Sequence, residues 1–381
     1  MTDRETVSRG QAQSLARRVA APGSANSCYF RSGPPQGARK ALLKITDRCD
    51  LHCAHCFVSA TRSGSDMALE ELRNALPRLV EARVANITLT GGEPLVHPDF
   101  LEFLRLLVGE HFDVTVCTNA VSLTDSLIEQ MVTLGRIGVN VSLDGFSQES
   151  HGRFRGDPCS FEITVRNTER LASAGILKGV LSTPNSFARP GEYTELFDFA
   201  ERLGAQYLLL NPLSSFGRGI RTRGRLAADI QTMRHIEQSI SEREHPEGTE
   251  PVFIRFPNAI QPLTGCIAGD IFYVLVDGRT AVCPYLLFAA ATPNSKHSEE
   301  EFIIGNLFGD TDFAERLNRY RFSERYELGA NDTCGGCSMA GGCGKGCPAA
   351  VVTAGGRIGD LDSEVCPIAM SPSRTKTATP S

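Results

Sequence analysis

Residues 41–56 read ALLKITDRCDLHCAHC, an apolar run typical of a β-strand followed at once by three cysteines spaced C-x3-C-x2-C. The cysteines are Cys49, Cys53 and Cys56. A cubane iron–sulfur cluster takes four thiolates, so three leave one iron open to a group that is not protein. An open iron in a redox cluster indicates catalysis. A structural zinc site, which needs four ligands, fits this set poorly.

Short β-rich runs alternate with amphipathic helical stretches from this segment to about residue 211. The predicted strands are 41–46, 86–90, 112–118, 137–143, 179–183 and 206–211, and the predicted helices are 66–83, 98–109, 124–134, 161–174 and 191–203. This alternation is typical of βαβ units and a parallel sheet. Six units are fewer than the eight of a TIM barrel, so the sequence predicts an α/β fold with a partial (β/α)6 barrel.

Polar motifs follow the predicted strands, at the C-terminal edge where such barrels place their chemistry. Cys49 follows the first strand and Gly91-Gly92-Glu93-Pro94 follows the second. Asn119 follows the third, and Ser142 and Asp144 lie at the end of the fourth. The sequence therefore predicts that these motifs meet in one site.

A second set of cysteines occupies the last third of the chain. Its members are Cys266, Cys283, Cys334, Cys337, Cys343, Cys347 and Cys366. The close pairs 334/337 and 343/347 suit either iron–sulfur clusters or a four-thiolate zinc site. Asp277-Gly278 between the apolar runs 270–276 and 280–285 indicates a β-hairpin. Regular periodicity fades here, and a loop-rich region with a thin core needs cross-links, which metal clusters supply.

Composition and charge argue against nucleic-acid-binding, membrane-spanning and disulfide-rich proteins. The chain has 381 residues, 41% hydrophobic and 22% charged, which is ordinary for a globular protein. A net charge of −5 argues against a nucleic-acid partner. No apolar stretch reaches the ~20 residues that span a bilayer. Thirteen cysteines without a signal segment predict a reducing, cytoplasmic location rather than a disulfide scaffold.

The chain is predicted to divide into five parts. Residues 1–40 form an irregular N-terminal segment, 41–211 the barrel core, 212–250 an Arg-rich connector with one helix, 251–370 the cysteine-dense domain, and 371–381 a disordered tail.

The first cysteine motif together with Gly91-Gly92-Glu93-Pro94 resembles the radical S-adenosylmethionine (SAM) superfamily. The resemblance implies that the three cysteines hold a [4Fe–4S] cluster whose fourth iron binds SAM. It implies that Glu93 pairs with the SAM ammonium, and glycines let the backbone approach a ligand. His55 stands where the family contacts adenine. Further SAM contacts are implied for Asn119, Ser142 and Asp144.

The second cysteine set resembles the SPASM extension of that superfamily in order and spacing. The resemblance implies two auxiliary [4Fe–4S] clusters, one held by Cys266, Cys283 and Cys347 and the other by Cys334, Cys337, Cys343 and Cys366. Some members carry a further cysteine between the first two positions, and this chain has none between Cys266 and Cys283. The first auxiliary cluster is thus expected to have an open iron, a substrate ligand or a ligand such as Asp270.

The resemblance implies an enzyme that cleaves SAM to a 5′-deoxyadenosyl radical and removes hydrogen from its substrate. An oxidative modification of a ribosomal peptide, by crosslinking or dehydrogenation, is the favoured outcome. The alternatives are decarboxylation or dehydrogenation of a small carboxylated sugar or nucleoside, and a non-catalytic electron carrier. The expected partners are a flavodoxin- or ferredoxin-type electron donor and a separate leader-binding protein, because some forty residues before the first strand are too few for a leader-binding domain.

Three cysteines and four arginines remain. Cys28 lies in the irregular N-terminus, Cys117 has an expected buried apolar role in the third strand, and Cys159 is a candidate hydrogen donor to a product radical. The arginines are Arg218, Arg221, Arg223 and Arg225. Guanidinium groups suit a carboxylate substrate, although charged runs are more often solvated.

Overall fold

The computed structural model describes residues 24–29, 34, 37–243, 248–258 and 260–370. The predicted tail 371–381 and most of the predicted N-terminal segment 1–40 lie outside these residues. Among the residues described, none of the helices has both the length and the apolar character needed to cross a bilayer.

Within the described residues, ten strands form one sheet. They are β1 Arg39–Lys44, β2 Val84–Thr90, β3 Asp113–Thr118, β4 Ile137–Ser142, β5 Leu177–Ser182, β6 Tyr207–Leu210, β7 Glu250–Phe253, β8 Ile271–Val274, β9 Arg279–Ala281 and β10 Ile303–Asn306. Their order across the sheet is β10-β9-β8-β1-β2-β3-β4-β5-β6-β7. The strands from β8 through β1 to β7 are all parallel to their neighbours. The predicted open, partial barrel is confirmed.

Thirteen α-helices lie in the described part of the chain. They are α1 Leu69–Glu81, α2 Phe100–Gly109, α3 Asp125–Leu134, α4 Ser160–Ser173, α5 Glu192–Arg202, α6 Gly219–Leu226, α7 Ile230–Ser241, α8 Pro284–Ala290, α9 Phe313–Arg319, α10 Phe322–Arg325, α11 Asp332–Gly335, α12 Pro348–Thr353 and α13 Pro367–Met370. The ends of α3 show why these boundaries fall where they do. The Thr124 side chain accepts a hydrogen bond from Leu127 N, and Gly135 ends the helix with φ of 68°.

Two features differ from the sequence prediction. The parallel part of the sheet has eight strands rather than six, because β7 pairs with β6 and β8 pairs with β1. Residues 212–250 contain two helices, α6 and α7, where one was predicted. The hairpin around Asp277-Gly278 is confirmed by the antiparallel pairing of β8 with β9, and it belongs to the same sheet as the barrel strands.

Side chains that alternate along the strands point either into the hydrophobic core or toward a cavity on the other face of the sheet. Ala41, Leu43 and Ile45 are fully buried in the core. Lys40 and Leu42, on the opposite face of β1, line a cavity inside the curved sheet. The fold thereby reserves the concave face for a ligand and covers the convex face with helices.

Candidate active site

The three cysteines of the first motif lie on the loop between β1 and α1. Cys49 and Cys53 are buried and Cys56 is half-buried. Backbone hydrogen bonds fix the loop, since Cys49 N donates to Thr61 O at 2.7 Å. Ala54 N donates to Phe154 O at 2.9 Å. The loop is therefore fixed by Thr61, which lies later in the same loop, and by Phe154, which follows β4.

Gly91 and Gly92 allow the chain after β2 to pack directly on this loop. A Cβ at Gly91 would lie 2.6 Å from Thr46 O, and one at Gly92 would lie 2.2 Å from Arg48 O. Gly92 N donates to Thr46 O and Glu93 N donates to Arg48 O, each at 2.8 Å. The sequence predicted that these glycines admit a ligand, and the structure adds that they admit the backbone of the cysteine loop.

Glu93 is 1% exposed and accepts three hydrogen bonds. Its donors are Thr118 Oγ1 at 2.6 Å, Asn119 N at 2.7 Å and Leu95 N at 3.1 Å. Burial raises the pKa of Glu93 to about 7, against the opposing effect of these donors. A carboxylate has about four lone-pair sites, so one remains for a cation.

Asn119 connects Glu93 to the cysteine loop. Its backbone donates to Glu93, while its side-chain amide donates to Asp50 Oδ1 at 2.7 Å. Asp50 directly follows Cys49, so the end of β3 positions both the carboxylate and the cluster motif. In this structure the Asn119 side chain is engaged by protein, and its predicted contact with SAM stays a prediction.

Asp144 organises a buried charged group at the end of β4. Its carboxylate accepts from Arg155 Nε at 2.8 Å and from Thr183 N at 3.0 Å. Burial opposes ionisation, but Arg155 and His55 outweigh it and hold the pKa of Asp144 below its ordinary value. Asp144 is thus an anion whose observed partners are protein groups, and its contact with SAM also stays a prediction.

His55 presents a flat, neutral ring beside this group. Its ring lies 4.5 Å from that of Phe154 at an interplanar angle of 7°, and its Nε2 lies 3.4 Å from Asp144 Oδ2. Burial lowers the pKa of His55 to about 4, in spite of Asp144. Within the described residues, His55 Nδ1 is buried without a hydrogen-bond partner. A planar stack with an unsatisfied nitrogen suits a heteroaromatic ligand such as adenine. Sequence reasoning missed Phe154 and Arg155, for which no motif signals a role.

The segment before α6 clamps the cysteine loop from the other side. Arg218 Nε donates to Cys53 O at 2.6 Å and its Nη1 donates to Ala60 O at 2.7 Å. A Cβ at Gly217 would lie 2.5 Å from Cys56 O. Arg218 therefore binds the cluster loop. The other predicted arginines lie elsewhere, since Arg223 pairs with Glu364 at 2.8 Å and Arg221 and Arg225 are exposed.

A conservative substitution at Thr222 tests how much this attachment stabilises the cysteine loop, because the Thr222 hydroxyl donates to Ala54 O at 2.8 Å. Replacing Thr222 with Val should lower the free energy of unfolding by about 1 kcal/mol, since the carbonyl loses its partner. Denaturant titration of the cluster-loaded protein measures the change. Thr133→Val is the matched control, because Thr133 makes a hydroxyl contact to Glu129 O on an exposed helix surface. An equal loss in both variants would contradict a specific role for Thr222.

A cavity of about 320 Å³, lined by both charged and apolar side chains, lies inside the curved sheet, next to His55 and Asp144. Ser142 and Arg155 line it near these residues. Further along the strands Lys178 Nζ donates to Thr115 Oγ1 at 2.8 Å, and Tyr207 OH donates to Asn140 Oδ1 at 2.7 Å. The volume suits a small ligand or one side chain of a larger substrate.

Cys117 and Cys159, which belong to neither cysteine set, differ in whether they line this cavity. Cys117 lines it and receives a hydrogen bond from Asn140 Nδ2 at 3.8 Å. Cys159 is exposed at the start of α4 and is absent from the cavity wall. The proposed hydrogen-donor role of Cys159 stays a prediction.

The C-terminal cysteines gather as two groups. Cys334, Cys337, Cys343 and Cys366 line one small apolar cavity. Cys266 lies within electrostatic range of Cys283 and Cys347. Among the residues described, no three His, Cys, Asp or Glu side chains converge closely enough to share one metal ion.

Comparison with known proteins identifies the barrel. Residues 43–200 match the radical SAM superfamily model. The mycofactocin maturase MftC of Mycobacterium tuberculosis strain H37Rv is 27% identical over 317 residues, covering 81% of this chain and 77% of MftC. The AdoMet-dependent heme synthase of Methanosarcina barkeri is 30% identical over 199 residues, covering 52% of this chain and 57% of the synthase.

A solved structure shares the fold. Streptococcus suis SuiB superposes with a TM-score of 0.66 at 16% identity, covering 86% of this chain and 77% of SuiB. SuiB has also been solved bound to S-adenosylmethionine and bound to the precursor peptide SuiA.

A radical SAM protein needs a [4Fe–4S] cluster and SAM, and the residues present fit both. Three thiols on one fixed loop suit the cluster. Glu93, with a spare acceptor site, follows β2, and His55, with its unsatisfied Nδ1, follows β1, so both lie at the C-terminal edge of the sheet and suit SAM. With this site and the matched family model, residues 43–200 belong to the radical SAM superfamily, and the protein is an enzyme.

Proposed function

We propose that this enzyme carries out an oxidative modification, a crosslink or a dehydrogenation, on a ribosomally made precursor peptide. The observation that carries the proposal is a single cavity lined both by residues of the expected SAM site and by residues next to other cysteines. His55 and Asp144 line it, and so do Tyr29 and Tyr285. Tyr29 follows Cys28, and Tyr285 lies two residues after Cys283. A substrate in this cavity would lie between SAM and the C-terminal cysteine region.

Relatives support this type of chemistry. MftC is a maturase and aligns with most of this chain, and SuiB, which shares the fold, has been solved with a precursor peptide. When bound, SAM and its cluster supply a radical that abstracts hydrogen from carbon. Glu93 would hold the SAM ammonium, the ring of His55 would hold the adenine, and the sheet interior would keep water from the reacting atoms.

The C-terminal cysteines would hold two auxiliary [4Fe–4S] clusters of the SPASM type. Four thiols around one small cavity fit the donor set of a closed cluster. The first auxiliary site, at Cys266, Cys283 and Cys347, lies next to the Tyr29 and Tyr285 wall of the substrate cavity. That position suits an electron acceptor for a substrate radical.

We expect protein reconstituted without oxygen to contain about twelve irons and twelve sulfides per chain, because each cubane holds four of each. Colorimetric iron and sulfide assays with mass spectrometry of the metals measure this content. Stoichiometric zinc at Cys334, Cys337, Cys343 and Cys366, with only about four irons, would refute the auxiliary clusters.

The decisive functional experiment combines the reduced enzyme, SAM and candidate precursor peptides encoded beside its gene. Formation of 5′-deoxyadenosine together with a peptide that has lost two hydrogen atoms supports the proposal. Tandem mass spectrometry locates the changed residue. Cleavage of SAM without change in any such peptide, together with turnover of a small carboxylated metabolite, would overturn it.

A small-molecule substrate is the second candidate function. The similarity to a heme synthase and the two lysines in the cavity wall, Lys40 and Lys178, favour a carboxylated small molecule. The electron-carrier alternative is not supported, because residues 43–200 belong to an enzyme family. We further propose a flavodoxin- or ferredoxin-type electron donor, a separate leader-binding protein and a cytoplasmic location.

A further inference from the structure

The first auxiliary site lacks a fourth cysteine in its own part of the chain, and the structure brings one from the N-terminus. Ala25 pairs with Leu263 in an isolated parallel bridge. Ala25 N donates to Pro262 O at 2.8 Å, and Thr264 N donates to Ala25 O at 3.0 Å. The segment 25–28 thus runs along residues 262–265, which lead into Cys266.

Side chains extend this attachment. The Ser27 hydroxyl lies 2.8 Å from Thr264 Oγ1 and donates to Thr264 O at 3.0 Å. Arg255 Nη1 donates to Ser27 O at 3.1 Å, and its guanidinium lies 5.4 Å from the centre of the Tyr29 ring. Ser27 is 1% exposed and Arg255 is 5% exposed. These buried contacts leave the segment with a defined position.

This attachment places Cys28 next to the first auxiliary site. Cys28 is 7% exposed. Its Sγ lies 3.1 Å from Gly265 O and 3.7 Å from Gly346 O, and these glycines directly precede Cys266 and Cys347. The Cys28 thiol also lies within electrostatic range of Cys347 and Cys266.

We propose that Cys28 is the fourth protein ligand of the first auxiliary [4Fe–4S] cluster, completing the set of Cys266, Cys283 and Cys347. The inference rests on the proposed function, which supplies the cluster. Ligation forms one sulfur–iron bond and releases the thiol proton to solvent, with no change of oxidation state. Each thiolate binds a different iron of a cubane, so the four sulfurs need not converge on one point as they would around a single ion.

Cys28 is a better candidate than Asp270, which the sequence suggested. Asp270 lines an open cleft with Cys266, together with Arg39 and Arg321. Its carboxylate is within electrostatic range of both arginines. The Asp270 carboxylate therefore already has two cationic neighbours. Cys28 Sγ, in contrast, contacts the backbone of the residues that directly precede Cys266 and Cys347.

The test uses full-length protein in which Cys49, Cys53 and Cys56 are replaced by Ala, so that only the auxiliary clusters remain. Iron content and electron paramagnetic resonance of the reduced protein are recorded with and without 2-mercaptoethanol. In this triple variant, neither auxiliary-cluster signal should change when 2-mercaptoethanol is added. Adding Cys28→Ala should alter one signal and make it respond to the thiol, while Asp270→Ala and the control Cys117→Ala, which removes a thiol in the barrel, should change nothing.

Three results would overturn the assignment. The first is a thiol response before Cys28 is changed, which means that one iron is already open and decides the matter even if Cys28→Ala fails to fold. The second is an unaltered spectrum in folded Cys28→Ala. The third is a response in Asp270→Ala. Absence of all auxiliary iron from the parent triple variant would instead refute the auxiliary clusters of the proposed function, and with them the basis of the inference.

Discussion

Replacing Cys49, Cys53 and Cys56 together with Ala should abolish SAM cleavage while leaving about eight irons per chain, since two of three cubanes remain. The cysteines lie on one loop fixed by Arg218 and by the chain after β2. The auxiliary sites depend on residues beyond 250 and on the N-terminal segment. Chromatographic assay of 5′-deoxyadenosine and an iron assay on the same sample measure both effects.

Cys159→Ala is the control for this variant, because that thiol is exposed and apart from the cluster loop. It should retain about twelve irons, as three cubanes require, and cleave SAM at the parental rate. Residual cleavage by the triple variant would show that another cluster reduces SAM. Loss of all twelve irons would show that the barrel cluster is needed for the whole fold.

The sequence was sufficient for the elements whose periodicity is strong. The first six strands and five helices lie within about three residues of their predicted ends. Each βα unit is local, so apolar alternation and helical spacing predict it without knowledge of distant contacts. β7 was missed because it has four residues, including Pro251, and follows an Arg-rich stretch. The pairing of β8 with β1 joins residues more than two hundred positions apart, which no local pattern indicates.

The sequence predicted those parts of the candidate site whose residues belong to one short motif. The C-x3-C-x2-C run and the Gly-Gly-Glu-Pro stretch place cysteines and carboxylate at adjacent strand ends, and the structure brings them together. Cys28 could not be found in this way, since its partners Gly265 and Gly346 are 237 and 318 residues away. Arg218 was identified as a notable residue, but its backbone partners are visible only once the loop is folded.

Polar and charged residues near the site show a further limit of prediction from sequence. Asn119 and Asp144 were predicted as SAM contacts, and the structure shows both engaged by protein groups. The Asp144–Arg155 pair is buried on both sides, and a buried ion pair lowers stability strongly when one partner is removed. Such residues can therefore be essential to the site through positioning alone.

Glu93→Ala should weaken SAM binding by roughly ten- to a hundredfold without removing any cluster. The carboxylate is buried and has one free acceptor site, so an ammonium there makes a charge-assisted contact worth ~1.5–3 kcal/mol. Isothermal titration of the cluster-loaded protein with SAM measures the dissociation constant, and iron content verifies the clusters. An unchanged dissociation constant would refute the assigned role of Glu93.

The pH dependence of SAM binding distinguishes this charged contact from a purely structural one. Before SAM binds, burial raises the pKa of Glu93 to about 7. An ammonium favours the ionised carboxylate, so below that pH binding must first expel a proton, and affinity should fall by up to about tenfold per pH unit. Above it the affinity should level off. Glu93→Gln keeps the shape and can still accept from Thr118 and Leu95, but it cannot ionise, so its affinity should be low and independent of pH across this range. A parental slope that persists in Glu93→Gln would assign the proton to another group and leave Glu93 with a structural role.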